Sequence, residues 1–275
     1  MNVHVRFQIF FRLTRWLSLM KSIVSVSFIF IALWLYSCQV AAHFLAFFPK
    51  TQVIDAGDSR RLHFPIHFTH PSTLGPTMSI ARPVSAGYMI NDTRVELTDE
   101  LKAVNQGSKT SWGLDVNLRR PGTYTFYTNQ APYLDPTEEV VITQYAKVVI
   151  DAFAALGQWQ PTIGTPVEII PLTRPFALWT NSLFTGRVLA DGRPAANVSV
   201  EVEYYNDSGV VLPSDAWASL EVRTNSAGEF SVVLPREGWW GIAALVPDEM
   251  SFTLEGKQYQ HEQAGVIWLQ VRDMN

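Results

Sequence analysis

The chain has one cysteine in 275 residues, Cys38. From residue 43 onward it has none, so disulfides, thiolate metal sites and cysteine nucleophiles are excluded there. Charge is sparse, at 17% of residues, with 21 Lys+Arg against 25 Asp+Glu. Phosphate backbones need Lys and Arg patches, so this balance makes a poor nucleic-acid binder and gives mild attraction for cations. Catalytic signatures are missing: there is no Gly-x-Ser-x-Gly elbow, no His-Glu-x-x-His and no phosphate loop. His261-Glu262 lacks the second histidine of a zincin helix. Beyond residue 42 no apolar run approaches the roughly 20 residues of a membrane span. Long helical periods are absent as well; only Thr98 to Ala103 has modest helical character.

What is present begins with a leader. Residues 1–42 hold Arg6, Arg12, Arg15 and Lys21 and no acidic residue. An apolar run of 14 residues follows, Ile23 to Tyr36, matching a signal-peptide core. Val40 and Ala42 supply the small residues before a cleavage point. Met20-Lys21 and the apolar core would form a normal signal unaided, which marks Met20 as the expected start. Leu35-Tyr36-Ser37-Cys38 is a poor lipoprotein box, and an uncleaved signal would leave a single N-terminal anchor. The reading taken is export to the periplasm with cleavage after Ala42. It leaves 233 residues with a formal charge of −8, since all four leader cations are lost and all acids remain.

The exported part reads as strands. His43 to Phe48 is apolar and closed by Pro49. Arg61 to Phe68 alternates, with Leu62, Phe64, Ile66 and Phe68 on one face, and Pro65 implies an edge or bulge. Trp112 to Leu118, Thr123 to Thr128 and Val140 to Ile150 continue the pattern. Ala152 to Pro166 holds two Gly and two Pro without a period, so a domain boundary falls near Gly157–Gly164. Afterwards Asp191-Gly192 predicts a hairpin between Asn181–Ala190 and Val198–Tyr205. Asn225-Ser226-Ala227-Gly228 predicts another, between Leu220–Thr224 and Phe230–Leu234. Trp239 to Val246 and Gly265 to Val271 complete the set. The expected fold is all-β: two consecutive antiparallel β-sandwiches, Ig-like and transthyretin-like, at residues 43–160 and 161–275.

Five histidines remain after the leader: His43, His63, His67, His70 and His261. Neutral imidazole suits nickel, copper and zinc alike. If cleavage follows Ala42, His43 becomes terminal and offers both its α-amino nitrogen and its ring Nδ1 to one ion. His63 and His67 lie about 13 Å apart along one strand, too far to share an ion held at about 2 Å. His70 follows the strand end before Pro71, so His43 with His70 or His67 is the expected metal set, provided the two segments meet. His261 is expected at the surface in a polar turn. Glu201 and Glu203 share a strand face and read as a solvated stripe. Trp239 and Trp240 point to opposite faces, one to core and one to surface. The sequons at Asn91, Asn197 and Asn206 matter only in a eukaryotic secretory pathway.

Two resemblances add to this reading. Phe184-Thr185-Gly186-Arg187-Val188, Asp191 to Val198 and Thr224 to Phe230 look like the carboxypeptidase-regulatory, transthyretin-like module. His43-Phe44, Phe68-Thr69-His70-Pro71, Arg120 to Tyr127, Pro171 to Phe176, Val202 to Asn206 and Gly238-Trp239-Trp240-Gly241 together resemble the periplasmic accessory component of energy-coupling-factor nickel transporters. That resemblance implies nickel as cargo, with cobalt as its alternative; imidazole chemistry leaves copper open as well. It implies membrane-embedded nickel/cobalt transporter subunits as partners; the missing catalytic signatures argue against an enzyme. It carries His43 and His70 as candidate ligands. The competing reading is a non-catalytic exported sandwich that binds carbohydrate or protein.

Overall fold

The structure, a computed structural model, describes residues 43–73, 78–136 and 138–274. The expected leader, the start at Met20 and the cleavage after Ala42 all fall outside these residues. No helix among the described residues is long and apolar enough to cross a membrane.

In chain order the strands are β1 (Phe44–Phe47), β2 (Val53–Ile54), β3 (Arg61–Thr69), β4 (Ser85–Ile90), β5 (Thr93–Glu96), β6 (Lys102–Gln106), β7 (Lys109–Asn117), β8 (Gly122–Asn129), β9 (Tyr133–Asp135) and β10 (Val140–Ala152). They continue with β11 (Val167–Pro171), β12 (Leu178–Trp179), β13 (Ser182–Ala190), β14 (Arg193–Pro194), β15 (Ser199–Tyr204), β16 (Leu220–Arg223), β17 (Glu229–Leu234), β18 (Gly238–Leu254) and β19 (Lys257–Arg272). The helical stretch expected at Thr98–Ala103 is a single 3-10 turn, Thr98–Glu100.

The strands form three sheets. The first runs β1-β3-β7-β6. The central sheet runs β16-β15-β18-β19-β10-β8-β4-β5, with β12 beside β19 and β2 and β9 beside β10. The third is β11-β13-β14, with β17 on the other side of β13. Period-two side chains explain the layering. On β19, Val266 and Trp268 enter one core while Ile267, Leu269 and Val271 enter another. On β18, Trp239 and Ala243 face the first core while Ile242 and Ala244 face the second. The all-β sandwich expectation holds, and the two sandwiches share their middle sheet. Its seam is parallel: β10 pairs β19 from Val140↔Gln260 to Val148↔Trp268. Between β10 and β11 the chain runs irregularly, and the buried pair Lys147–Glu168 (2.7 Å) ties its ends. Glu168 also accepts the amides of Ile163 and Gly164.

The hairpin turn expected at Asp191-Gly192 is present, but its second strand is β14 and not Val198–Tyr205; the hairpin expected at Asn225–Gly228 is corrected. Asp191 and Gly192 take positive φ (48° and 74°) and turn the chain, but only Leu189↔Pro194 and Ala190↔Arg193 pair across them. The chain then leaves for the central sheet, where β15 lies between β16 and β18. Likewise β16 stays in the central sheet while β17 pairs β13 in the third. Asn225–Gly228 is thus an arch between layers. A Cβ on Gly228 would come within 2.8 Å of Val188 O and 2.9 Å of Ala195 N, at φ 73°. Turn chemistry marks a reversal of direction, and it does not say whether the strands stay in one sheet.

β1 is fastened into the first core by polar as well as apolar contacts. Phe44 packs edge-on to Trp268 at 6.1 Å. A Cβ on Gly241 would lie 2.8 Å from that phenyl ring, so glycine lets β18 pass beneath it. Trp268 Nε1 donates to Leu45 O at 2.9 Å. Gln144 accepts from Leu45 N at 2.7 Å and donates to His43 O. A side-chain amide thus stands in for a neighbouring strand. Trp268 is fully buried, so Trp268→Ala should cost about 3–5 kcal/mol. Thermal or denaturant unfolding checks this, and a loss below about 1 kcal/mol would contradict the packing described.

Candidate metal centre

β1 and β3 pair antiparallel, from Phe44↔Thr69 to Phe47↔Ile66. One further step of that register sets His43 opposite His70. Their rings lie 4.2 Å apart between centroids, tilted by 42°. A third group comes from β9, which pairs the start of β10 through Asp135↔Val140. His43 Nδ1 lies 2.7 Å from Asp135 Oδ2, and Asp135 is fully buried. The contact has the length of an imidazole–carboxylate ion pair. Two donors about 2.0–2.1 Å from one ion, at a right angle, stand about 3 Å apart. The 2.7 Å contact is a little shorter than that and has the length of a direct imidazole–carboxylate bond. Asp135 Oδ1 accepts from Glu138 N at 3.1 Å, which orients the carboxylate. His70 Nδ1 is buried without a hydrogen-bond partner.

Burial lowers the pKa of His43, the neighbouring His70 lowers it further, and Asp135 pulls it back. The ring is thereby kept neutral near neutral pH, the form a metal needs. Among the described residues, no three His, Cys, Asp or Glu side chains already converge on one ion-sized point.

His63, His67 and His261 stand elsewhere. His67 pairs Ala46 across β1 and β3 and points to the face of β3 opposite that of Ile66 and Phe68. Geometry therefore leaves it out of the pair. His63 is exposed and meets Asp115 at 2.8 Å. The surface turn expected at His261 is corrected: the residue is 5% exposed and lies within β19, in its first half. Its Nδ1 meets Asp248 Oδ2 at 2.9 Å and its Nε2 meets Thr143 Oγ1 at 2.8 Å. The turn lies earlier in the chain, at Glu255-Gly256, because β18 and β19 are much longer than their apolar cores. β19 alternation puts His261 on the opposite face from Glu262 and Val266.

The solvated stripe expected at Glu201 and Glu203 is also corrected. Glu203 is 2% exposed and accepts from Ser72 N at 3.3 Å. The loop after His70 folds over β15, which removes this face from water. Asn206 clamps that loop: its N donates to Pro71 O at 2.9 Å, and its Nδ2 to Ser72 O at 2.8 Å. Burial pushes Glu203 up to about 8, countered by the Ser72 bonds and reinforced by Glu201. Burial pushes Glu201 up to about 7, reinforced by Glu262, Glu138 and Glu221. Glu262 also rises to about 7, through burial and then Glu138. Carboxylates thus flank the loop and strand that carry His70 and Asp135. Trp239 is core and Trp240 half-buried on the other face, as alternation requires.

The sequence pattern does not single out Asp135, and it does not show that Glu203 and Glu262 are buried. Asp135-Pro136 reads as an ordinary turn, and nothing local shows that β9 ends beside β1. Alternation fixes which face Glu203 shares, but not what covers that face.

The layered all-β architecture and the paired histidines define a sandwich protein with a candidate cation site. The chain belongs to the family DUF4198, described as a domain of unknown function, which matches residues 40–248. No curated protein matches the sequence. Among solved structures, dimeric latent PorU from Porphyromonas gingivalis is similar at 13% identity and a TM-score of 0.25, over 87% of this chain. This chain spans 21% of PorU. The fibronectin(III)-like modules of Clostridium thermocellum CbhA are similar at 10% identity, TM-score 0.20, over 82% of this chain and 94% of that one. Titin domains A168-A170 are similar at 9% identity, TM-score 0.18, over 81% and 62%.

Proposed function

We propose that the protein is an exported, periplasmic metal-binding protein without catalytic activity, which holds nickel for membrane-embedded nickel/cobalt transporter subunits. Cobalt and copper are the alternative cargoes. The observation that carries this reading is the meeting of His43, His70 and Asp135 at the start of β1. The order of motifs shared with nickel-transporter accessory components supports the choice of metal and partner. Cleavage after Ala42 turns His43 into a bidentate ligand. A site at a chain end also suits handover, since release requires only the end to move.

Calorimetric titration of the processed protein with nickel, cobalt, copper and zinc tests this reading. One nickel per chain is expected, with affinity falling as pH drops from about 8 to about 5.5. The unperturbed α-amine titrates at about 7.7–8.0 and the imidazole at about 6.5. His43 is held below that ordinary value, so the amine supplies most proton competition between pH 6.5 and 8. Binding that is absent, or that does not change over this range, would sink the proposal.

A further inference from the structure

At the other end of β1 from His43, a groove of about 950 Å³ opens between the first sheet and the central sheet. Its volume lies at the upper end of the range for small-ligand sites, about 300–1,000 Å³. The floor is rigid. Gln52 N donates to Gln270 Oε1 at 3.0 Å, and Gln270 N donates to Gln52 Oε1 at 2.8 Å. Gln52 is 1% exposed, and its Nε2 is held by Pro175 O at 2.7 Å. Such reciprocal amide bonds pin β19 to the segment after β1.

The lining carries charge opposite to the protein's own surplus. Lys50, Arg61 and Arg272 line the groove, and none of them forms an ion pair among the described residues. Elsewhere Arg94, Arg187 and Arg223 each meet a carboxylate within 2.5–3.0 Å. Two acids, Asp55 and Asp58, also line the groove, but Asp58 Oδ2 is engaged by Asp55 N at 2.9 Å in their own turn. Trp179 is 48% exposed and pairs in register with Arg272. A half-exposed indole therefore stands beside a guanidinium without an acidic partner.

We propose that this groove binds an acidic oligosaccharide of about two or three uronate rings. Pyranose C–H faces stack on an indole, and guanidinium groups take carboxylates through paired N–H donors. An acidic peptide is the less favoured occupant. It would add to the open edge of β3, which β1 leaves free before Ile66, but Pro65 there has no N–H to offer. The groove is separate from the metal centre and its occupancy does not depend on it.

The test is calorimetric titration of the processed, metal-free protein with trigalacturonic acid, beside maltotriose and an acidic Asp/Glu hexapeptide. Trigalacturonate should bind saturably and weaken with salt. Maltotriose should bind at least about tenfold more weakly. Arg61→Ala and Arg272→Ala should each lose about tenfold, as removing a hydrogen bond to a charged group does, and Trp179→Ala should lose about as much through the lost stacking face. These residues are exposed, so unchanged melting should accompany the loss. His43→Ala should leave trigalacturonate binding unchanged. No binding, equal binding of maltotriose, or tighter binding of the peptide would each overturn the proposal.

Discussion

Adding one alanine before His43 of the processed protein should weaken nickel binding by at least about 100-fold while leaving the fold unchanged. The extension converts the α-amine into an amide, which coordinates only after losing its own proton. Even losing an outer-shell partner of a metal ligand costs about 10–100-fold, and here a ligand itself is removed. His70→Ala should cost less, because two donors from His43 remain. Asp135→Asn keeps the shape but loses the charge beside His43 Nδ1, and should fall between the two. His261→Ala removes the partner of Thr143 and Asp248. It should cost about 1–3 kcal/mol of stability and leave nickel affinity unchanged, because His261 faces the other side of the central sheet. Equal affinity for parent and extended protein would remove the terminal chelate from the mechanism.

A second large effect concerns stability without metal. Glu203 is raised to about 8 in the fold, against about 4.3 in an unfolded chain. Its carboxyl therefore stays protonated when folded over a range where the unfolded chain ionises it. The stability this supplies is complete below about pH 4.3 and lost as pH rises through 8. Glu201 and Glu262, raised to about 7, act in the same direction. His43 and His67 are lowered by burial. Their contribution is present above about 6.5 and lost as pH falls below it. Between pH 6.5 and 8 the histidines are already neutral and the carboxyls govern. Metal-free protein should therefore lose stability across that window. Glu203→Gln keeps an acceptor for Ser72 N and removes the ionisation. At pH 8 it should be more stable than the parent by on the order of a few kcal/mol. Melting both proteins at pH 5, 6.5 and 8 measures the difference, and parallel curves would mean that Glu203 is already ionised at neutral pH.

The sequence made the first sandwich legible where a single face was at stake. Arg61 to Thr69 alternates because one face is core, and the structure buries Leu62, Phe64, Ile66 and Phe68 as that pattern demands. Pro65 was compatible with pairing on one side only, and β1 does end at Ile66. The rest depended on which layer each strand joins. Asp191-Gly192 and Asn225–Gly228 encode turns, yet the first closes only the short β14 before the chain leaves for the central sheet, and the second links different sheets, since apolar residues on either side suit any sheet that covers them. The parallel seam of β10 and β19 joins residues more than a hundred positions apart, and no local pattern reports it. His43 and His70 could be named as candidates from chain-end chemistry and the strand end at Pro71. Asp135 could not, because a fully buried carboxylate in a three-residue strand looks like any Asp-Pro turn. Glu203 was misread for the reverse reason: a charged stripe on a strand is normally solvated, and here the Asn206-clamped loop covers it.

Anomalous diffraction at the nickel absorption edge, from crystals of the processed protein grown with nickel, tests the central claim most directly. The expected result is one peak about 2 Å from His43 Nδ1 and the His43 amine, in contact with His70 or Asp135. A strong peak at His63, His67 or His261, or no peak at the start of β1, would contradict it.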